Sequence, residues 1–496
     1  MHYGSYTGDA QWQTGTSRSM KKRRPISGAP SRTTSMPMAW TPKVKPTRSK
    51  PAASRDTTTS STATATWNGT ASGKPPTKSN GWARLLARVG PGLITGASDD
   101  DPSGIATYSQ AGSRFGFGLL WTVLFSYPLM GGMQEICARI GLVTGRGLAG
   151  NLRRHFPRPL LYVVVTMLVV ANTINIGSDI GAMAASVGML VGGPILIYTL
   201  AFGVVSAIVQ VLVPYHRYVA FLKWLCAALF VYIGVGFVVR IPWAQVMRST
   251  LVPSMQWSRE SIEMIIAILG TTISPYLFFW QASEEVEEQQ IDAWERPLKY
   301  APEQSHWQLE HMEADTWFGM AVSNIVAFFV ILTAAIVFHA NGITEIRTTS
   351  EAAEALRPIA GRFAHLLFGL GIIGTGLLAL PVLAGSSAYA IGEAMKWPTG
   401  LEKKPRAAEG FYVIIAVSTL AGVGLNLLHF DPIRALFWTA VINGVVSAPL
   451  MLVIMLLASR PSVMGRFTLP RRLQILGWSA TAVMTAATIA FAVLRR

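Results

Sequence analysis

An all-α protein that crosses a membrane many times is the fold class this sequence predicts, on three observations. Of 496 residues, 51% are hydrophobic and only 14% are charged, with a mean hydropathy of +0.37. A soluble chain carries about a quarter charged residues. Apolar runs of roughly 20 residues, enough to cross the hydrocarbon core as helix, recur throughout. Two of those runs break in the middle around polar residues, which lipid tolerates only where the broken backbone faces protein or a water-filled cavity.

The elements follow in order. Residues 1–80 hold 13 Lys and Arg against Asp9 and Asp56, so they supply +11 of the formal net charge of +16. This Ser/Thr/Pro-rich stretch has no apolar periodicity and cannot bury enough surface to fold, which predicts a disordered basic tail. It lacks the apolar core of a signal peptide. Lys21-Lys22-Arg23-Arg24 can touch anionic headgroups, although the plainer reading is a solvated tail that reinforces topology. Located there, the positive charge is no nucleic-acid signal, and the partners expected are a lipid bilayer and a divalent cation. Residues 81–496 form the transmembrane domain, with eleven expected spans centred near 83–112, 116–143, 159–191, 194–214, 219–239, 261–283, 316–340, 364–395, 410–428, 433–458 and 474–494.

Lys and Arg in short loops set orientation. The tail falls on one side with Arg146, Arg153, Arg154 and Arg158, with His216, Arg217 and Lys223, with Lys396, Lys403, Lys404 and Arg406, and with Arg460, Arg466, Arg471 and Arg472. The opposite loops are poorer, Arg240, Arg248 and Arg259 excepted. The amino terminus is thus expected in the cytoplasm and the carboxyl terminus outside, across a cell (inner) membrane. Cys137 and Cys226 sit in or at spans as small apolar residues and report nothing about redox compartment.

The first break, Gly-Pro-Gly-Leu-Ile-Thr-Gly-Ala-Ser-Asp-Asp-Asp-Pro-Ser-Gly, places Asp99, Asp100, Asp101 and Pro102 in an apolar stretch. A carboxylate at the centre of a lone transmembrane helix costs roughly 2.5–3.5 kcal/mol, so the three must face a cavity, a partner or the membrane surface. Pro102 removes a donor and frees carbonyls beside them. Carboxylate plus carbonyl oxygen suits Mg²⁺, Ca²⁺ or Mn²⁺. The alternative for Asp99 and Asp100, and to a lesser degree for Asp101, is that they only cap the following half-helix. The second break, Gly-Thr-Thr-Ile-Ser-Pro-Tyr, adds Thr271, Thr272, Ser274 and Tyr276 as oxygen-bearing groups, with Pro275 holding it open. Hydroxyls on such helices also bond to their own backbone, and for Thr271 and Thr272 both readings stand. Neither break offers the thiol, thioether or imidazole that soft metals prefer.

A paired interruption at matching places in two halves marks a transporter's midplane site. Asp179 is the other intramembrane carboxylate, with Asn172 and Asn175 on or near its face. Glu284, Glu285, Glu287 and Glu288 read as a solvated helix face, with a cation-attracting vestibule as the lesser alternative. His155, His216, His306, His311, His365 and His429 look like loop or span-end residues. No catalytic constellation appears, so no enzyme activity and no cofactor are expected; Mg²⁺ or Mn²⁺ enters as transported substrate.

These residues resemble the Nramp family of divalent-metal transporters over about 83–494. The anchors are Gly90-Pro91-Gly92, Asp101-Pro102, Gln110-Ala111-Gly112, Ala138-Arg139 with Gly141, Thr144-Gly145, Asp179, Gly270, Thr272 with Pro275, and Asp431-Pro432. The resemblance implies the LeuT-like fold: two inverted five-helix repeats, here about 83–239 and 261–458, plus an extra helix at 474–494. It implies first and sixth helices unwound around the ion.

The departures carry as much. The family's Asp-Pro-Gly-Asn is Asp101-Pro102-Ser103-Gly104 here, so the asparagine that ligates metal is missing. Its Met-Pro-His is Ser274-Pro275-Tyr276, replacing both the thioether and a histidine linked to proton movement. Its Asp-Leu-Ala-Glu is Asp179-Ile180-Gly181-Ala182, and a preceding glutamate aligns with Asn172. The ninth span has no basic residue, and a glutamine expected in the tenth aligns with Ala440, near Asn443. This pattern is similar to the prokaryotic Nramp-related magnesium transporters.

The expectation is an importer of partly hydrated Mg²⁺, with Mn²⁺ as a possible co-substrate, working by alternating access without proton coupling. Asp101, Gly104, Thr272, Ser274, Tyr276, Asp100 and Asp99 would form the metal site, with Asp179, Pro102, Pro275, Asn172 and Asn443 behind it or gating. The alternatives are a proton-coupled Mn²⁺ or Fe²⁺ importer, an organic-solute transporter of the same architecture, and a sensor that signals through its tail. The sequence leaves oligomeric state open and is compatible with a functional monomer.

Overall fold

Residues 91–213, 230–254, 258–291, 295–428 and 431–494 are described by a computed structural model, and among them every regular element is helical. The basic tail, Gly90, His216, Arg217, Lys223, Cys226 and His429 lie outside the described residues. The helices that concern the site are α1 (Pro91–Asp99), α2 (Pro102–Phe115), α3 (Leu120–Thr144), α4 (Leu148–His155), α5 (Arg158–Val191), α6 (Ile195–Leu212) and α7 (Phe230–Val238). They continue with α8 (Trp243–Leu251), α9 (Arg259–Thr272), α10 (Pro275–Ile291), α11 (Ser305–Val337), α12 (Ala364–Met395), α13 (Glu409–Asn426), α14 (Pro432–Ala458) and α15 (Arg471–Leu494).

Among the described residues nine helical runs are long and apolar enough to cross a membrane. One of them, Pro102–Thr144, holds two expected spans, the second half of the first and all of the second, joined at the corner Gly116–Leu119. The span expected near 219–239 is described only from Phe230, as α7. Proline starts α2, α10 and α14, where its missing N–H is one the helix leaves unpaired anyway. Gly145, at φ 64°, ends α3 in the left-handed conformation that a side chain disfavours.

Packing repeats itself when the two halves are exchanged. Helices α1 and α2 lie along α11, and α10 lies along α3; α5 packs on α6 as α12 packs on α13; α5 crosses α12, and α6 crosses α13. This exchange, with a break in the first helix of each half, is the LeuT-like arrangement of two five-helix repeats. Glycines permit close helix approaches, two of them in the broken helices. A Cβ at Gly96 would collide with the Gly319 backbone of α11, and one at Gly270 with Ala440 and Gly444 of α14. The eleventh span, α15, packs on α3, α9 and α14. Its Arg472 reaches Glu135 of α3 at 3.1 Å and Glu313 of α11 at 2.7 Å.

The acidic run of α10 is solvated only in part: Glu284, Glu287 and Glu288 are half-buried and Glu285 is buried. Glu285 accepts from Gln281 of its own helix at 2.9 Å, and Glu287 accepts from the Tyr389 hydroxyl at 2.6 Å and the Leu401 amide at 2.7 Å, which ties α10 to α12 and the loop after it.

Candidate metal site

Both broken helices begin their second halves on a proline, and the residue before Pro102 supplies the cap. Asp101 sits extended at φ −69°, ψ 170°, and its Oδ1 accepts the Gly104 amide at 2.8 Å and the Ser103 hydroxyl at 2.6 Å. Its Oδ2 accepts the Asn175 side-chain amide of α5 at 2.9 Å. The alternative role considered for Asp99 and Asp100, capping α2, is therefore not theirs. They turn to α11, where the Ser323 hydroxyl lies 2.7 Å from Asp99 Oδ2 and 3.3 Å from Asp100 Oδ1. Asp99 and Asp100 share that hydroxyl while Asp101 turns to α5, so the three buried carboxylates form no single ligand set. Among the described residues no three His, Cys, Asp or Glu side chains gather as a ligand set.

The second break is organised differently. The Ser274 hydroxyl lies 2.8 Å from the Gly270 carbonyl and 2.6 Å from that of Thr271. Thr272 donates to the Ile268 carbonyl at 3.0 Å, while the Thr271 hydroxyl lies 2.9 Å from the same carbonyl and 3.0 Å from the Tyr108 hydroxyl. These hydroxyls close the last turn of α9, the backbone alternative for Thr271 and Thr272. Ser447 of α14 donates to the Ile273 carbonyl at 2.6 Å, so that carbonyl already has a partner. Tyr276 donates to the Ser98 carbonyl at 3.0 Å and pins the two breaks together.

Helix α5 supplies the side wall. Asp179 is fully buried, and neither of its oxygens has a hydrogen-bond partner; it lies within electrostatic range of Asp101. The Asn172 NH₂ group meets Leu383, Ser386 and Ser387 of α12 at 2.8–3.0 Å, at the α5–α12 seam, while its Oδ1 is buried without a partner. Asn443 is buried with neither side-chain atom partnered. Gly104 leaves room: a Cβ there would meet Tyr108, Asp99 and Asp101 at 3.4–3.7 Å, ordinary contact. Ser323, Ser447 and Tyr108 complete the surroundings. Ser447 is a lone polar group in an apolar run, whereas Ser323 adjoins Asn324 and Tyr108 lies between Thr107 and Ser109, so nothing in the sequence singles those two out.

Apolar side chains pack on two sides of the site. Toward the Phe115–Gly116 corner, Ile105, Tyr108, Met264, Ile268, Leu356 and Phe368 share one buried cluster. Toward α4, Leu277, Phe278, Met312 and Met320 share another. Asp101 is 2% exposed. On the α4 side the Gly92 amide donates to Asp315 at 2.6 Å and Thr95 donates to Gln281 at 2.5 Å, holding α1 against α11 and α10.

Comparison with known proteins agrees with this geometry. The family model for natural resistance-associated macrophage protein-like sequences, Nramp, matches residues 92–494. The chain belongs to the Nramp family. Divalent metal cation transporters MntH of Klebsiella pneumoniae, from strains 342 and MGH 78578, are 25% identical to this Nramp chain over 407 residues, covering 80% of it and 92% of theirs. The crystal structure of an Eremococcus coleocola manganese transporter with an aromatic bis-isothiourea substituted compound superposes with a TM-score of 0.68 at 16% identity. It covers 84% of this chain and 88% of the other. At that identity the superposition speaks for the fold alone. Membership makes the chain a multi-pass transporter of divalent metal cations and not an enzyme.

Proposed function

We propose that this Nramp chain imports partly hydrated Mg²⁺, and Mn²⁺ as a second substrate, by alternating access without moving protons. The observation that carries this reading is the chemistry around Asp101. Its neighbours present carboxylate, amide and hydroxyl oxygens, and the acceptors on Asp179 and Asn175 have no donor. Buried acceptors without donors are costly unless a cation or its waters satisfy them. An all-oxygen site with space at Gly104 suits an ion that sheds water reluctantly. Asp101 would bind the ion, with Asp99 and Asp100 adding negative potential. The backbone near Thr272 and the hydroxyls of Ser274 and Tyr276 would hold its waters, and Pro102 and Pro275 keep both breaks open.

No proton gradient is needed. A divalent ion crossing 100 mV gains about 4.6 kcal/mol, twice the 2.3 for one charge. At about 1.4 kcal/mol per decade this supports more than three decades of accumulation. The amino terminus would face the negative side, in the cytoplasm, as the Lys and Arg bias of the loops supports.

A second reading, a proton-coupled Mn²⁺ or Fe²⁺ importer, is favoured by Asp179, a fully buried carboxylate with no partner, as a proton carrier. Uptake by proteoliposomes separates the two. Saturable Mg²⁺ entry under an inside-negative potential, lost in Asp101→Ala, is expected. Entry of Mn²⁺ or Fe²⁺ alone, with acidification of the lumen, would replace the first reading by the second.

A further inference from the structure

We infer that Asn175 is an ion-contacting residue, its side-chain oxygen taking the cation or a water bound to it; the inference rests on the placement of the ion beside Asp101. A carboxylate only accepts hydrogen bonds, so the group that Asn175 turns to Asp101 Oδ2 at 2.9 Å is its NH₂. That contact fixes the amide and aims its Oδ1 the other way. There it is buried with no donor in reach, on a residue that is fully buried itself. Leaving an amide oxygen so buried and unpaired is costly unless a ligand satisfies it.

That oxygen has no protein donor. Asp179 follows four residues later on α5, hence on the same face, with both carboxylate oxygens unpartnered. Buried acceptors on successive turns of one helix, with no donor to pair them, are what a cation and its hydration shell satisfy. Asn172, three residues earlier on the same helix, also keeps a buried Oδ1 without a partner, but its NH₂ group reaches three acceptors on α12 and none at the break. What sets Asn175 apart is that its NH₂ group bonds the proposed ligand itself.

Two roles are separable by substitution. If Asn175 only positions Asp101, its NH₂ group matters, and Asn175→Ala and Asn175→Asp weaken binding alike because both remove it. If its oxygen meets the ion, the two variants diverge. Asn175→Ala is expected to raise the Kd for Mg²⁺ on the order of tenfold, while Asn175→Asp, which keeps an oxygen and adds charge, binds Mg²⁺ at least as tightly as the unaltered protein. The measurement is isothermal titration of the full chain in detergent with MgCl₂ and with MnCl₂, alongside uptake. Gly104→Asn in the Asn175→Ala background restores an amide oxygen three residues from Asp101, and is expected to recover most of the lost affinity.

Equal weakening in both single variants, or no change in either, overturns the inference. A thermal melt of each variant separates loss of fold from loss of ligand. If Asp101→Ala itself leaves Mg²⁺ binding intact, the placement of the ion has failed and not the role of Asn175 alone.

Discussion

The two breaks look alike in sequence and differ in what they leave unsatisfied. At the first, Asp101 caps α2, yet the carboxylates and the α5 wall still hold acceptor oxygens with no donor. At the second, Ser274, Thr271, Thr272 and Ser447 pair their hydroxyls with backbone carbonyls of α9 and the break itself. One break therefore stores charge, and the other stores shape. A hydroxyl proton given to a helix turn stabilises that turn by about 0.5–1.5 kcal/mol. A buried carboxylate without a cation destabilises its site by several kcal/mol.

This asymmetry is open to direct attack. The largest effect belongs to the first break. Asp101→Ala removes the cap and the central charge, and is expected to lower Mg²⁺ uptake in proteoliposomes by at least about 100-fold, the equivalent of roughly 3 kcal/mol. A loss under tenfold would mean that charge is held elsewhere. Asp99→Asn keeps the shape and an acceptor for Ser323 while removing charge, and is expected to raise the KM for Mg²⁺ by about tenfold with little change in melting temperature. An unchanged KM would make Asp99 a packing residue of the α1–α11 contact.

The second break should respond through stability. Tyr276→Phe deletes the bond to the Ser98 carbonyl that joins the breaks, and should cost about 0.5–1.5 kcal/mol of stability in a thermal melt. Uptake should fall by less than tenfold. The smallest effect is expected for Ser274→Ala, which unpairs only one turn of its own helix: uptake within about threefold of the unaltered protein. A Ser274→Ala loss as large as that of Asp101→Ala would dissolve the distinction between the breaks and make Ser274 a direct ligand.

Much of this was legible in the chain. Proline after a polar residue inside an apolar run marks both breaks, and Asp101 stood out as a carboxylate in such a run, although it also caps α2. Directions were not legible. Asp99 and Asp100 adjoin Asp101, but which neighbour each meets depends on where α11 lies, and nothing in residues 99–101 encodes Ser323. Asn172 and Asn175 both follow from Asp179 by helical spacing, and only the packing shows that the first turns its NH₂ group to α12 and the second to Asp101. Hydroxyls in the second break carry the same ambiguity, since oxygen types that could serve an ion serve a carbonyl equally well.

The central claim, a divalent ion moving alone, is tested most directly by counting charge per ion. Proteoliposomes would carry internal Mg²⁺ and pH dyes while a potassium-diffusion potential is stepped across a fixed Mg²⁺ gradient, and the potential at which net Mg²⁺ flux stops would be read. Uncoupled transport predicts reversal at the Mg²⁺ equilibrium potential for two charges, about 30 mV per decade of gradient, unmoved by a pH gradient and with no pH change in the lumen. A reversal potential that shifts with the pH gradient, together with lumenal acidification, would contradict it and make the chain a proton-coupled member of its family.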